Sequence, residues 1–347
     1  MPDRSFLAAI ALSVMFPLAS CAGTTDQGVA AQGTGQYTSS STDAVSTTST
    51  SLARADISIM CDPTSGSGCL VPTPNPDEQS PLIWKEGLQP EFANISYGSD
   101  PAQELDIYPA ESSPSRGTIV AIHGGGFVGG DRSMMTEWFG PIVKQLDRGF
   151  AIVNIEYRHT DGAENPFPAA VEDTAKAINW VRANASTYNL NVDTLIVAGH
   201  SAGATLATLA GVATSESWTN APDVEVDGYV SFAAIMDFAS PSMDDANRGW
   251  LGSSLDPNAT FDASPVDHVE AADPPGFIAH GDQDGIVPVS QSEEFVSKAD
   301  QAGVPSERVW FDKVTTGDPS CRNHVCMCGV NSAALDQWFD LVANGEI

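Results

Sequence analysis

Apolar and polar positions begin to alternate in a regular way near Leu82. Asn94-Ile95-Ser96-Tyr97 and Glu104-Leu105-Asp106-Ile107-Tyr108 alternate on either side of a Gly98–Pro101 turn and predict an antiparallel hairpin. Thr118-Ile119-Val120-Ala121-Ile122-His123 does not alternate. Nor do the runs at 150–155, 194–198, 226–235, 277–280 and 307–311. Short, continuous apolar runs of this kind predict strands covered on both faces. The segments between them have helical spacing. Pro168 suits the first turn of a helix reaching about Ala185, with Ala170, Val171, Ala175, Ile178 and Val181 on one face. Further helices are predicted at 134–147, 204–210, 288–302 and 331–343, and residues 240–270 read as irregular with short helices. Strand alternating with helix after an antiparallel start predicts an α/β fold: one mixed, mostly parallel sheet with helices on both faces. There is no internal repeat, so residues 82–347 form one expected domain.

The first 81 residues follow a different pattern. Arg4 precedes an apolar stretch at 6–16, too short to span a bilayer, and Leu18-Ala19-Ser20-Cys21 has the form of a bacterial lipobox. Residues 1–21 are therefore expected to direct export, with Cys21 lipidated; ordinary cleavage after Ala22 is the alternative. Residues 22–81 are rich in Ser, Thr, Gly, Ala and then Pro, and are expected to form a flexible linker between a membrane anchor and the domain. An exported location, either anchored to the cell envelope or secreted, makes disulfides admissible. Cys61 and Cys69 would close a short loop, and Cys321 would pair with Cys326 or Cys328. A zinc site in the same Cys-rich loop is disfavoured because structural zinc usually takes two well-separated ligand pairs.

Composition narrows the partners. The net charge is -30, and the 347 residues include only five lysines. A surface this acidic argues against nucleic acid and against anionic membranes, and suits an ordinary secreted protein or a saline medium equally. No metal or organic cofactor is implied.

The chemistry centres on Gly199-His200-Ser201-Ala202-Gly203. An apolar strand runs into this G-x-S-x-G stretch and a helix runs out of it. A serine at such a strand-to-helix turn presents its Oγ on a strained elbow. Its hydroxyl is a poor nucleophile near neutral pH and needs a base, which in turn needs an orienting acid. In chains with this turn the order is serine, acid, histidine. His324 follows the acid candidates and lies between the last strand and the last helix, so it is the expected base. The acid follows the strand at 277–280, where Asp282 and Asp284 both qualify. The backbone N–H of Ala202 is one expected oxyanion donor, and the Gly124-Gly125-Gly126 run can supply others.

The chain resembles the α/β-hydrolases of the hormone-sensitive-lipase-like esterase group, in particular its bacterial BD-FAE-type branch. The resemblance rests on His123-Gly124-Gly125-Gly126-Phe127-Val128-Gly129-Gly130-Asp131, Glu156-Tyr157-Arg158, 167–173, 199–203, Ala263-Ser264-Pro265, Asp273-Pro274-Pro275 and 280–288. It implies the α/β-hydrolase fold, with Ser201 as nucleophile, Asp284 as acid, His324 as base, and oxyanion donors at Gly125, Gly126 and Ala202. Three features depart from the pattern. His200 stands where many relatives have Asp, Ala204 where Gly is common, and the loop around His324 is unusually rich in cysteine. The expected function is a serine carboxylesterase cleaving short acyl esters, on a small ester or an acylated polysaccharide. No segment has the look of a long lid, which speaks against long-chain lipids. Amide hydrolysis on the same fold and a non-catalytic binding protein are the alternatives; the filled serine, acid and histidine positions argue against the second.

Overall fold

The structure is a computed structural model. It describes residues 87–134, 139–213, 224–242, 249–252, 256–315, 322–324 and 329–347, together with the backbone of 60–61 and 69–70. The chain divides into units Met1–Leu52 and Ala53–Ile347. The expected export signal, the lipidation site Cys21, most of the linker, and Cys321, Cys326 and Cys328 lie outside the described residues. No helix among the described residues is long and apolar enough to cross a membrane.

A ten-stranded sheet runs through the second unit in the order β1-β2-β10-β9-β8-β7-β5-β6-β4-β3. Its strands are β1 (Met60–Cys61), β2 (Cys69–Leu70), β3 (Phe92–Ser96), β4 (Glu104–Tyr108), β5 (Gly117–Ile122), β6 (Phe150–Ile155), β7 (Leu195–His200), β8 (Gly228–Phe232), β9 (Gly276–Gly281) and β10 (Val309–Val314). The six from β5 to β10 are mutually parallel, and the β3–β4 hairpin joins them antiparallel at β6. At the far edge β2 pairs parallel to β10, and β1 antiparallel to β2 with Cys61 opposite Cys69. The sheet thus reaches back into the span read as linker.

Among the described residues six α-helices accompany the sheet: α1 (Gly140–Val143), α2 (Ala169–Asn184), α3 (Ala202–Val212), α4 (Pro257–Ala263), α5 (Ser290–Ala302) and α6 (Ser332–Ala343). Two apolar cores follow from the period-two geometry of the strands. Val120, Ile122, Leu195 and Val197 pack under α2, α3 and α5. Ile119, Ala121, Ile196 and Ala198 point the other way, to α1 and to Leu335, Trp338 and Phe339 of α6. With both faces covered, β5, β6, β7, β8 and β9 are buried at every position, which is why their sequences show no alternation.

Two elements differ from the sequence reading. The helix expected at 134–147 is broken: among the described residues it is a 3-10 turn at Arg132–Met134, then α1, then a 3-10 turn at Lys144–Leu146. Gly140-Pro141 starts a new helix there, because proline is tolerated only in a first turn. The strand expected at 226–235 is only β8, since Ala233 takes a positive φ of 55° and leaves the ladder.

The chain leaves β5 for β6 on one side and later returns to place β7 on the other. A parallel sheet opens a crevice at the carboxyl ends of its strands at such a reversal. Ile122 lies opposite Gly199 there, so the glycine run after β5 and the serine after β7 emerge side by side.

Candidate active site

Ser201 connects β7 to α3 with φ 55° and ψ −121°. A left-handed φ on a serine is strained, and the surroundings enforce it. Gly199 and Gly203 make the turn possible by close approach. A Cβ on Gly203 would sit 2.1 Å from the Ile122 carbonyl oxygen, and one on Gly199 would sit 2.0 Å from that of Gly203. The turn therefore presses against the end of β5, with Ala202 at the first position of α3, where a backbone N–H has no partner within the helix.

His324 Nε2 lies 2.8 Å from Ser201 Oγ, and His324 Nδ1 lies 2.7 Å from Asp284 Oδ2. The serine and the imidazole are 123 residues apart in sequence. Asp284, in the loop after β9, accepts the backbone N–H of Ile286 at 2.8 Å and of Val287 at 2.9 Å through Oδ1. Burial works against its anion, but hydrogen bonds and charge from His280 and His324 outweigh that and hold the carboxyl well below the usual range. Asp282 has a different role. It takes the Arg322 guanidinium on both oxygens, from Nε at 2.7 Å and from NH2 at 2.5 Å, and so ties the His324 loop to the end of β9. Gln283 N–H adds a bond of 3.1 Å to the Arg322 carbonyl.

The glycine run lies beside Ser201. A Cβ on Gly124 would come within 3.1 Å of Ser201 Cβ, and Gly125 and Gly126 take positive φ values of 124° and 63°. Phe127 continues the loop at φ 65° and stacks on Trp250 with ring centroids 3.8 Å apart. His123 fixes the start of the loop. Its Nδ1 lies 2.7 Å from the Gly124 carbonyl oxygen and its Nε2 2.7 Å from Glu156 Oε1. Although burial opposes it, hydrogen bonds from His123 and His159 bring the Glu156 carboxyl down to about 2. His123, Glu156 and His159 bring their donor atoms within 4.8 Å of one another and could hold a divalent cation. The same carboxylate already meets His123 Nε2 at 2.7 Å and is approached by Arg132 at 3.9 Å.

The structure therefore brings Ser201, Asp284 and His324 into one hydrogen-bonded line, with Ala202 next to the serine in sequence and Gly124, at the head of the glycine run, packed against it. Two neighbours were missed by the sequence reading. His280 lies 3.2 Å from Asp284 Oδ2, with its Nδ1 on Ser292 Oγ at 2.7 Å. It was read as the end of a strand, although its spacing of four from Asp284 is a signal. His200 was noted only as a departure from a motif. For Cys61 and Cys69 the description is confined to the backbone register given above.

Sheet order, helices on both faces and a serine elbow after β7 define an α/β-hydrolase fold. The BD-FAE family model matches residues 105–299, and the chain belongs to that family. The matched span ends before His324. Curated relatives include Esterase LipC of Mycobacterium tuberculosis, 28% identical over 220 residues, covering 59% of this chain and 54% of LipC. Probable carboxylic ester hydrolase LipM of the same organism is 30% identical over 228 residues, covering 60% of this chain and 51% of LipM. The chain thus spans about half the length of the curated relatives it matches. Among solved structures, a truncated carbohydrate esterase from gut microbiota superposes with a TM-score of 0.63 at 23% identity, covering 76% of this chain and 99% of that one.

Proposed function

We propose that the protein is a serine carboxylic-ester hydrolase acting on short acyl esters, with Ser201, His324 and Asp284 as its catalytic residues. The observation that carries this reading is the hydrogen-bonded line from Ser201 Oγ through His324 to Asp284. Similarity to Esterase LipC and to probable carboxylic ester hydrolase LipM supports it independently. In the first half-reaction Ser201 Oγ attacks the ester carbonyl carbon and its proton passes to His324 Nε2. Asp284 stabilises the imidazolium and holds the ring's orientation. Negative charge on the carbonyl oxygen goes to the N–H groups of Gly125, Gly126 and Ala202. As the tetrahedral adduct collapses, the C–O bond to the alcohol breaks and His324 returns the proton to the leaving oxygen. Water then repeats the sequence on the acyl-serine and releases the acid.

An acylated sugar is the substrate class we favour, by analogy with the carbohydrate esterase of similar fold. The test is a p-nitrophenyl ester series of increasing acyl length, run beside acetylated and feruloylated glycans. Turnover should be highest on the shortest acyl groups. Ser201→Ala should lose at least about 10³-fold in kcat and all labelling by a fluorophosphonate probe. Undiminished turnover in Ser201→Ala, or none in the native protein, would sink the proposal.

A further inference from the structure

His200 takes no part in the proton path above, yet it touches both halves of the site. It is wholly buried at the end of β7. Its Nε2 donates to the main-chain carbonyl of His324 at 2.6 Å. A carbonyl only accepts, so this nitrogen carries the ring's proton. The imidazole lies 5.1 Å from the His324 ring, centroid to centroid, and meets Phe139 edge-on at 6.4 Å. On the oxyanion side, a Cβ on Gly124 would come within 3.0 Å of His200 Nδ1. The titratable groups that face it among the described residues are His324 on its loop and Asp284 and His280 at the end of β9. Burial, helped by repulsion from His324, brings its protonation down to about 3, so the ring is uncharged at any pH where an ester hydrolase works.

The His324 loop needs such a tether. His324 lies in a bend, and a base displaced by about 1 Å can lose on the order of 10²-fold in rate. Two main-chain carbonyls of this segment are held from outside it: that of Arg322 by Gln283 N–H, and that of His324 by His200. The second belongs to the base itself. Because His200 is the last residue of β7 and directly precedes Ser201, it ties the base to the strand end that positions the nucleophile.

We propose that His200 is a positioning residue of this site: an uncharged donor that fixes the main chain of His324, so that the base meets Ser201 squarely and feels one carboxylate, Asp284. The proposal rests on the esterase reading above. It predicts that the donor, not the ring, is what matters, and that a charge in its place retunes the base. A glutamine can reach the same carbonyl. A glutamate of the same length adds a negative charge beside His324, favours the imidazolium and moves the acid limb of activity to higher pH.

The experiment compares full-length His200→Leu, His200→Gln and His200→Glu with the native protein on p-nitrophenyl acetate. It measures kcat, KM, the pH profile of kcat/KM and thermal unfolding. Leucine should lower kcat by about 10- to 100-fold with KM within about twofold. Glutamine should recover most of that loss while leaving the acid limb in place. Glutamate should shift the limb upward by about one pH unit. The positioning role is overturned if leucine keeps native kcat, or if glutamine is as impaired as leucine at equal folded fraction. The charge argument is overturned if the glutamate limb coincides with the native one. If the native protein neither turns over the ester nor takes the fluorophosphonate label, the esterase reading fails first, and His200's role fails with it.

Discussion

At the scale of single residues, buried polar groups set the pH response. Asp312 on β10 is fully buried under α6. Oδ2 accepts the Asn331 N–H at 2.7 Å, and Oδ1 has no hydrogen-bond partner among the described residues. Burial pushes this carboxyl up to about 7. Its ordinary value is about 4, so the folded protein holds the proton over a range where the unfolded chain has released it. The native state therefore loses stability as pH rises through about 4 to 7, by up to about 4 kcal/mol if the whole difference is expressed. Asp312→Asn removes the titration. Its melting temperature should match the native protein near pH 4, exceed it increasingly up to pH 7 and stay above it beyond; parallel curves would refute the assignment. None of this was visible in the sequence, where Asp312 is one acidic residue among 45 Asp and Glu. Ser201 was legible because its strained turn needs glycines at fixed offsets. His200 was not, because a buried histidine leaves no local pattern when its partner lies on a distant element; His280 left only its spacing of four from Asp284.

Between elements, the arginine network shows what keeps the crevice in register. Arg158, just past β6, grips Asp173 of α2 from Nε and NH2 at 2.7–3.0 Å, while its own N–H bonds the same carboxylate at 2.9 Å. Gln103, before β4, adds a bond of 2.5 Å. Asp173 is fully buried, and removing its charge leaves the partly buried guanidinium, among the described residues, with only Glu172 at 3.5 Å and the Ala169 carbonyl at 3.2 Å. Asp173→Ala should cost about 3 kcal/mol in urea unfolding, and a loss under about 1 kcal/mol would contradict this account. Element types were legible where burial is uniform: β5, β6, β7 and β9 appear within a residue or two of their apolar runs. Boundaries failed where one backbone position decides them, at Gly140-Pro141 and at Ala233. The choice of Asp284 over Asp282 came from family likeness, since both follow the same strand. The structure separates them by direction, one carboxylate facing His324 and the other Arg322.

For the molecule as a whole, charge is the dominant property. A net charge of -30 on 347 residues repels itself, and salt screens that repulsion. The melting temperature should rise between about 20 mM and 0.5 M NaCl, where the Debye length falls from roughly 20 Å to a few Å. The same field acts on substrates. For an acylated polymer carrying uronic acids, KM should fall as salt increases, while KM for a neutral acetylated glycan stays nearly constant. Equal salt dependence for both would show that the field at the crevice is not set by the net charge.

The long reach from Ser201 to His324 has a further consequence for how reactivity arises as the chain folds. On the proposed mechanism, a molecule organised only as far as the loop after β9 would own the elbow, the glycine run and the acid, but its hydroxyl would lack a base. On that mechanism reactivity would appear only once the segment between the last strand and the last helix docks and brings the His324 imidazole to Ser201. Half-folded or clipped forms would thus be silent toward esters, and the rate of ester cleavage becomes a readout of how many molecules have finished folding.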